Sequence, residues 1–481
     1  MQFNTYAFIL IFLPVVVSGY YIFNKKSIFW GKIFLIIMSI IFYCFAGIEC
    51  ILLICISILM NYGISYFMRW VEKSKRPLLI AGIVLNIAVL LYCKYCNFFI
   101  STIDHIINLD IAAKEILLPL GISFYTFQQI MFLVDVSIYK KYYSFWDYTL
   151  YILFFPKIMM GPLIEPTDFI SQVNKPAQKE LYYEKIAAGV QLFVFGLLKK
   201  VIIADTLAKA VDWGGTNITE CTSLDLMVVI LSYTLYIYFD FSGYSDMAIG
   251  ISEMLNIDLP MNFDSPYKAV SIRDFWKRWH ISLTAFLTKY IYIPLGGSRR
   301  SRSRTYLNTM IVFLISGLWH GANWTFVVWG GLHGFLMVID RMNQKWWDKL
   351  PKFLRWMVTF TLVNLLWSLF WLDSMSDVLY LFQRIIALND LGFSAGLEEC
   401  FCLKEFSFLG NELGIAFIQN HLWSLSALGM LSIPLGICVF AENNNRCKKI
   451  SVGSLILVIL TSTWCMINLG VETTKFIYSG F

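Results

Sequence analysis

Apolar residues gather into long runs near 6–23, 33–47, 50–68, 78–100, 116–138, 148–164, 187–203, 224–252, 306–320, 323–340, 355–373, 422–440 and 450–470, separated by short polar connections. Runs of this length predict membrane-crossing helices, since a helix needs roughly 17–25 predominantly apolar residues to span the hydrocarbon core. The 481 residues leave room for about 10–12 crossings and their loops. Some runs are short or interrupted: Glu49 divides one long stretch and Lys157 sits inside another. Broken segments predict helices that tilt or end within the membrane, where backbone is tolerated only if protein or a water-filled cavity shields it. The expected fold is an all-α polytopic membrane bundle, one domain over 1–481, with short re-entrant or interfacial helices.

Composition strengthens this reading. Hydrophobic residues make up 58% of the chain and charged residues 15%, against about 25% charged in soluble domains. A soluble protein this apolar has too little polar surface to cover itself, and lipid removes the difficulty. No segment is polar enough to form a separate soluble domain, and no nucleic-acid partner is expected. The eleven cysteines include several inside apolar runs and read as inert thiols. Cys93 and Cys96 have CxxC spacing, but no second pair or nearby histidine completes a metal site. Residues 6–23 read as a retained first crossing, because Met1–Tyr6 lacks a basic segment and no small-residue cleavage site stands out.

The net charge of +6 is unevenly placed. Lys25 and Lys26 follow the first run, and Arg69, Lys73, Lys75 and Arg76 follow the third. The positive-inside rule puts both loops in the cytosol and the N-terminus outside, with Glu49 facing outward. Lys140 and Lys141 mark a further cytosolic edge. Between Arg273 and Arg304 there are eight basic residues against the single acid Asp274, so this stretch is cytosolic too. It also carries Phe275, Trp276, Trp279, Ile281–Leu287 and Tyr290–Leu295, which predicts two interfacial or half-inserted helices.

Five histidines are candidates for chemistry: His105, His280, His320, His333 and His421. His320 lies in Gly317-Leu318-Trp319-His320-Gly321-Ala322-Asn323-Trp324, between two apolar runs. Ionisable groups at membrane depth are costly and usually mark a pathway or site. A neutral imidazole there can take the proton of an attacking hydroxyl, which is general-base catalysis; the bland alternative is a buried histidine bonded to a carbonyl. On a helix, Arg273, Trp276, Lys277 and His280 share one face, and cations there suit a phosphorylated pantetheine donor or anionic lipid. His333 reads as structural, among small residues that favour close helix packing. His105 and His421 read as bystanders. With no HExxH or i, i+4 histidine pair, a zinc hydrolase is disfavoured.

A third constellation is Tyr238-Phe239-Asp240-Phe241-Ser242-Gly243-Tyr244-Ser245-Asp246, continuing to Glu253 in an apolar run. Carboxylates here need partners, and nearby arginines or histidines are natural candidates. Asp240, Tyr244, Asp246 and Asn323 are taken as supporting residues.

These pieces together resemble the membrane-bound O-acyltransferase superfamily, and most closely its alginate O-acetyltransferase-type bacterial branch. The matching segments are Leu118-Pro119-Leu120-Gly121-Ile122-Ser123-Phe124-Tyr125-Thr126-Phe127-Gln128, Gly161-Pro162-Leu163-Ile164, Tyr238 to Ala248, Asn262-Phe263-Asp264-Ser265-Pro266-Tyr267, Arg273 to Leu283, and Trp319-His320-Gly321. They run in order over 115–340, the expected catalytic core, followed by additional C-terminal spans over 341–481. Glu165 departs from the pattern, where members of the branch often carry a basic residue.

The resemblance implies a ring-like helical bundle whose short central helices form a thin floor. Cytosolic and outer funnels would then meet near His320, and His320 and His280, the second family histidine, are the catalytic residues the resemblance implies. It further implies a multi-pass protein of the bacterial cytoplasmic membrane that moves an acyl group, acetyl in this branch, from a cytosolic thioester to an extracytoplasmic polysaccharide. An SGNH-hydrolase-like partner often completes the transfer. The donor is acetyl-CoA or an acyl carrier protein's phosphopantetheine thioester, with no permanently bound cofactor, and Arg273, Lys277 and Trp276 are expected to hold it. Two rivals remain: D-alanyl transfer from a carrier protein to teichoic acid, against which the C-terminal extension argues, and a lipid or polysaccharide transporter, which gives no reason for the histidine motifs.

Overall fold

The computed structural model describes the chain except residues 72–74, 108–111, 113, 404, 406, 409–415, 444–450, 470–475 and 478–481. The regular elements among the described residues are all helical. Seven of these helices are long and apolar enough to cross a membrane: Ala7–Lys26, Ile48–Trp70, Arg76–Asp104, Tyr183–Thr216, Ser223–Met254, Lys352–Trp371 and Leu422–Phe440. Ile28–Cys44 and Val452–Asn468 are shorter apolar helices.

Four other runs read as crossings, near 116–138, 148–164, 306–320 and 323–340, are not among these helices, and the first three show visible reasons. The run near 116–138 yields Ile122–Ser137, only 16 residues. The run near 148–164 breaks into Phe145–Leu153 and Phe155–Ile158, because Phe154 leaves the helical region with ψ 104°. The run near 306–320 forms a helix whose first turn carries Arg302 and Arg304.

The chain divides into two compact units. The first comprises Met1–Val194, Tyr244–Pro260 and Lys449–Ile459; the second comprises Phe195–Gly243, Met261–Lys448 and Leu460–Phe481. The first unit is built on an aromatic core in which Tyr244 stacks on Phe3 at 4.9 Å and Phe42 meets Phe155 at 5.3 Å. Polar side chains join three of its helices: Asn61 Nδ2 donates to Gln129 Oε1 at 2.7 Å, and Asn86 Nδ2 donates to Asn61 Oδ1 at 2.6 Å. Such bonds suit apolar surroundings, where an unmade one is costly. Lys157, which interrupted the apolar pattern, is fully buried. Its Nζ donates to Gln128 Oε1 at 2.5 Å and lies 4.0 Å from the Tyr151 ring centre, so an amide and a π face take the place of water.

The second unit is organised by a helical hairpin, Arg302–His320 and Trp324–Trp347. Its helices meet through glycines. A Cβ on Gly317 would lie 2.3 Å from the Phe326 carbonyl oxygen, and one on Gly330 would lie 2.4 Å from that of Phe313. Only glycine permits this approach. The hairpin therefore fixes the height and rotation of everything near its closed end, where His320 sits.

Candidate active site

His320 is the last residue of its helix. Gly321 adopts an extended backbone with φ −156° and ends the helix, and a Cβ there would strike the Phe326 ring. Asn323 then caps the next helix, its side chain accepting from Thr325 N at 3.3 Å while its Nδ2 donates to the Asp373 carbonyl at 2.6 Å. The His320 imidazole is 2% exposed and packs against the rings of Trp319, Trp329 and Phe370 at 4.9, 5.2 and 5.1 Å.

The basic motif forms two short helices, Ile272–Arg278 and Ile281–Leu287. One expectation is corrected here. Arg273, Trp276, Lys277 and His280 do not share a helix face, because the first helix stops at Arg278, Trp279 is extended, and His280 adopts the left-handed region with φ 45° and ψ 54°. A non-glycine residue pays about 1–2 kcal/mol for that conformation. Asn262 holds the break in place: its carbonyl accepts from Ile281 N at 2.9 Å, and its Oδ1 accepts from Ser282 Oγ at 2.6 Å. His280 is 1% exposed, with Phe241 at 4.7 Å and Trp319 at 6.2 Å between ring centres. Trp319 is thus flanked by both histidines.

Trp276 is 6% exposed, and its indole Nε1 donates to His333 Nδ1 at 3.3 Å. This explains His333 as a structural partner. Arg273 pairs with Asp340 at 3.2 Å and donates to Gln344 Oε1 at 3.2 Å, which ties the first short helix to the hairpin. Lys277 is exposed.

A cavity of about 250 Å³ is lined by Trp276, Thr284, Phe313, Ser316, Tyr292 and Arg341, among others. Ser316 lies one helical turn before His320, so the cavity wall reaches that turn, while the imidazole itself does not line it. Among the described residues, aromatic rings surround the imidazole, which is 2% exposed, where open access from both faces was expected. Ser316, Thr284 and Arg341 were not singled out from the sequence. The signal for Ser316 was available, since i and i+4 share a helix face.

Of the expected supporting acids, Asp240 is fully buried. Its partner is not a nearby arginine or histidine, as the sequence suggested, but Lys200, at 2.8 Å. Lys200 also pairs with Asp205 at 2.8 Å, and Asp240 Oδ2 accepts from Ile477 N at 3.0 Å. Tyr244 and Asp246 belong to the first unit, whereas both histidines belong to the second. Tyr244 donates to the Pro156 carbonyl at 3.3 Å. The side chains of His105 and His421 lie outside the described residues. Among the described residues, no group of three His, Cys, Asp or Glu side chains is arranged to hold a metal ion.

Comparison with known proteins agrees with the motifs. A model of the membrane-bound O-acyltransferase family matches residues 133–382. The chain is 36% identical to the peptidoglycan O-acetyltransferase of Helicobacter pylori, covering 92% of this chain and 90% of that one. It is 35% identical to the probable alginate O-acetylase AlgI of Pseudomonas aeruginosa, over 81% of this chain and 75% of that one. The teichoic acid D-alanyltransferase of Bacillus subtilis matches at 28% identity, over 47% of this chain and 60% of that one. The chain belongs to the membrane-bound O-acyltransferase family and is a multi-pass membrane O-acyltransferase.

Proposed function

We propose that the protein moves an acetyl group from a cytosolic phosphopantetheine thioester to a hydroxyl of an extracytoplasmic polysaccharide, directly or through an SGNH-type partner, in a bacterial cytoplasmic membrane. The supporting observation is the cavity walled by Trp276 and Ser316, which reaches the helical turn that ends in His320. A pantetheine arm is a narrow chain, and a cavity lined by threonines, serine and aromatic rings suits it. Relatives named for acetylation of peptidoglycan and alginate cover most of this chain, whereas the D-alanyltransferase covers about half. That difference favours acetyl over D-alanyl transfer.

His320 is the base in this reading. The acceptor hydroxyl oxygen attacks the thioester carbonyl carbon as the imidazole takes the hydroxyl proton. Collapse of the tetrahedral intermediate breaks the C–S bond, and the departing sulfur takes the proton back from the imidazolium. His320 is well placed for this transient charge, because the carbonyl end of a helix favours a cation within its last turn. Enclosure by aromatic rings keeps water from the thioester, and a ring must swing aside for the donor to reach the imidazole. His280 lies beyond Trp319 and starts the short helix that supplies Thr284 to the cavity. Its task is to position that wall. Arg273 positions the short helix that carries Trp276, through Asp340, while Lys277 is free to meet a donor phosphate.

Replacing His320 with alanine tests the assignment. Acetylation of the surface polymer should fall by roughly 10²–10⁴-fold while the amount of protein in the membrane stays the same. Full acetylation by that variant would reject His320 as the base.

A further inference from the structure

The two ends of the hairpin differ in what they hold against His320. Along Trp324–Trp347, Met337 and Arg341 line the cavity, whereas Phe326 and Trp329 meet Phe370 at 4.7 and 5.3 Å between ring centres. At 1.5 Å of rise per residue, about 16 Å of helix separates Phe326 from Met337. The cavity thus lies toward the end that carries Arg302, Arg304 and Lys345, and Phe370 lies at the closed end. The positive-inside rule puts the basic end at the cytosol and the closed end away from it.

Of the three rings around the imidazole, Trp319 and Trp329 belong to the hairpin and Phe370 does not. Phe370 stands in the last turn of Lys352–Trp371, and Leu372 beyond it is extended with ψ 134°. The Asp373 carbonyl, three residues on, accepts from Asn323 Nδ2 at 2.6 Å, which registers this helix end against the hairpin's turn. Helix ends open at lower free energy than packed helix interiors. An attacking oxygen must come within about 3 Å of an imidazole nitrogen, and the Phe370 ring fills the approach from the closed end.

We propose that Phe370 is the specificity-determining ring on the acceptor side, barring water from His320 and yielding to the sugar that carries the acceptor hydroxyl. The inference rests on reading His320 as the base and the cavity as the donor's route. Water competes by the same chemistry. Its oxygen attacks the thioester carbonyl carbon, the imidazole takes its proton and returns it to the sulfur, and the C–S bond breaks to give acetate and the thiol. Displacing the ring takes its apolar surface out of contact with Phe326 and Trp329. The C–H face of a sugar replaces that contact, and a single water does not.

The test uses the purified full-length protein in vesicles with acetyl-CoA, following thiol release with and without a polysaccharide acceptor. In Phe370→Ala, release without acceptor should rise by roughly tenfold, a small change in barrier, and the share of acetyl reaching the polymer should fall. Phe370→Leu, which keeps an apolar side chain in the helix, should show a smaller rise in the same direction. The double variant His320→Ala/Phe370→Ala should return release to the level of His320→Ala alone. The KM for acetyl-CoA should stay the same in both single variants, because Phe370 does not line the cavity. Thermal midpoints establish that the variants are folded. Unchanged release without acceptor in the folded single variants overturns the proposal. Extra release that persists without His320 also overturns it, as does a raised KM for acetyl-CoA with no change in release. Failure of the unmodified protein to release thiol even with acceptor present overturns the proposed function itself.

Discussion

Two groups of cations in the second unit illustrate opposite uses of charge. Lys200 is fully buried, held between Asp205 and Asp240, with the Phe476 ring 4.5 Å from its Nζ. Arg300, Arg302, Arg341 and Lys345 are exposed and have no carboxylate within ion-pair distance. In the first group each charge answers another, and removing one leaves buried charge without compensation. In the second, stability gains little from any one side chain. Burial with pairing ties a charge to the fold, whereas exposure without pairing leaves it little part in stability.

The comparison breaks most readily at Lys200. Its replacement by methionine should cost about 3–5 kcal/mol, as expected when one partner of a buried pair is lost, and should lower the thermal midpoint in detergent. The double variant Lys200→Met/Asp240→Asn should recover part of that loss. An unchanged midpoint in the single variant would show that the cluster is not structural. The hairpin glycines come next. Gly330→Val places atoms against the Phe313 carbonyl, and overpacking of this kind costs typically about 1–3 kcal/mol. Thermal midpoint and acetyl transfer should fall together in this variant, because the displaced helix carries Trp329, against which His320 packs. The smallest effect on stability belongs to the exposed cluster: Arg300→Gln/Arg302→Gln should stay within about 0.5 kcal/mol of the unmodified protein, as surface changes usually do. A large loss there would make the exposed cluster structural and erase the contrast.

The helical membrane fold and the family were legible in the sequence because both rest on local signals. Apolar runs report crossings, and the motifs around Asp240, Arg273 and His320 are contiguous. The partner of Asp240 was not legible. Lys200 sits forty positions earlier at the end of an apolar run, and nothing local joins the two. The shared face predicted for Arg273 and His280 failed for a similar reason: Asn262, outside the motif, captures the amide of Ile281 and the hydroxyl of Ser282 and so supports the left-handed turn at His280. The exposed basic cluster was half visible. Arg300 and Arg302 stood out as a basic run, but Arg341 and Lys345 lie at the polar end of another helix and join them only through the hairpin.

Cross-membrane transfer is the central claim, and sealed vesicles test it directly. Labelled acetyl-CoA is supplied at one face and a polysaccharide acceptor is placed at the same or the opposite face. The label should enter the polymer only when donor and acceptor are on opposite sides. Equal labelling with both on the same face would contradict the account.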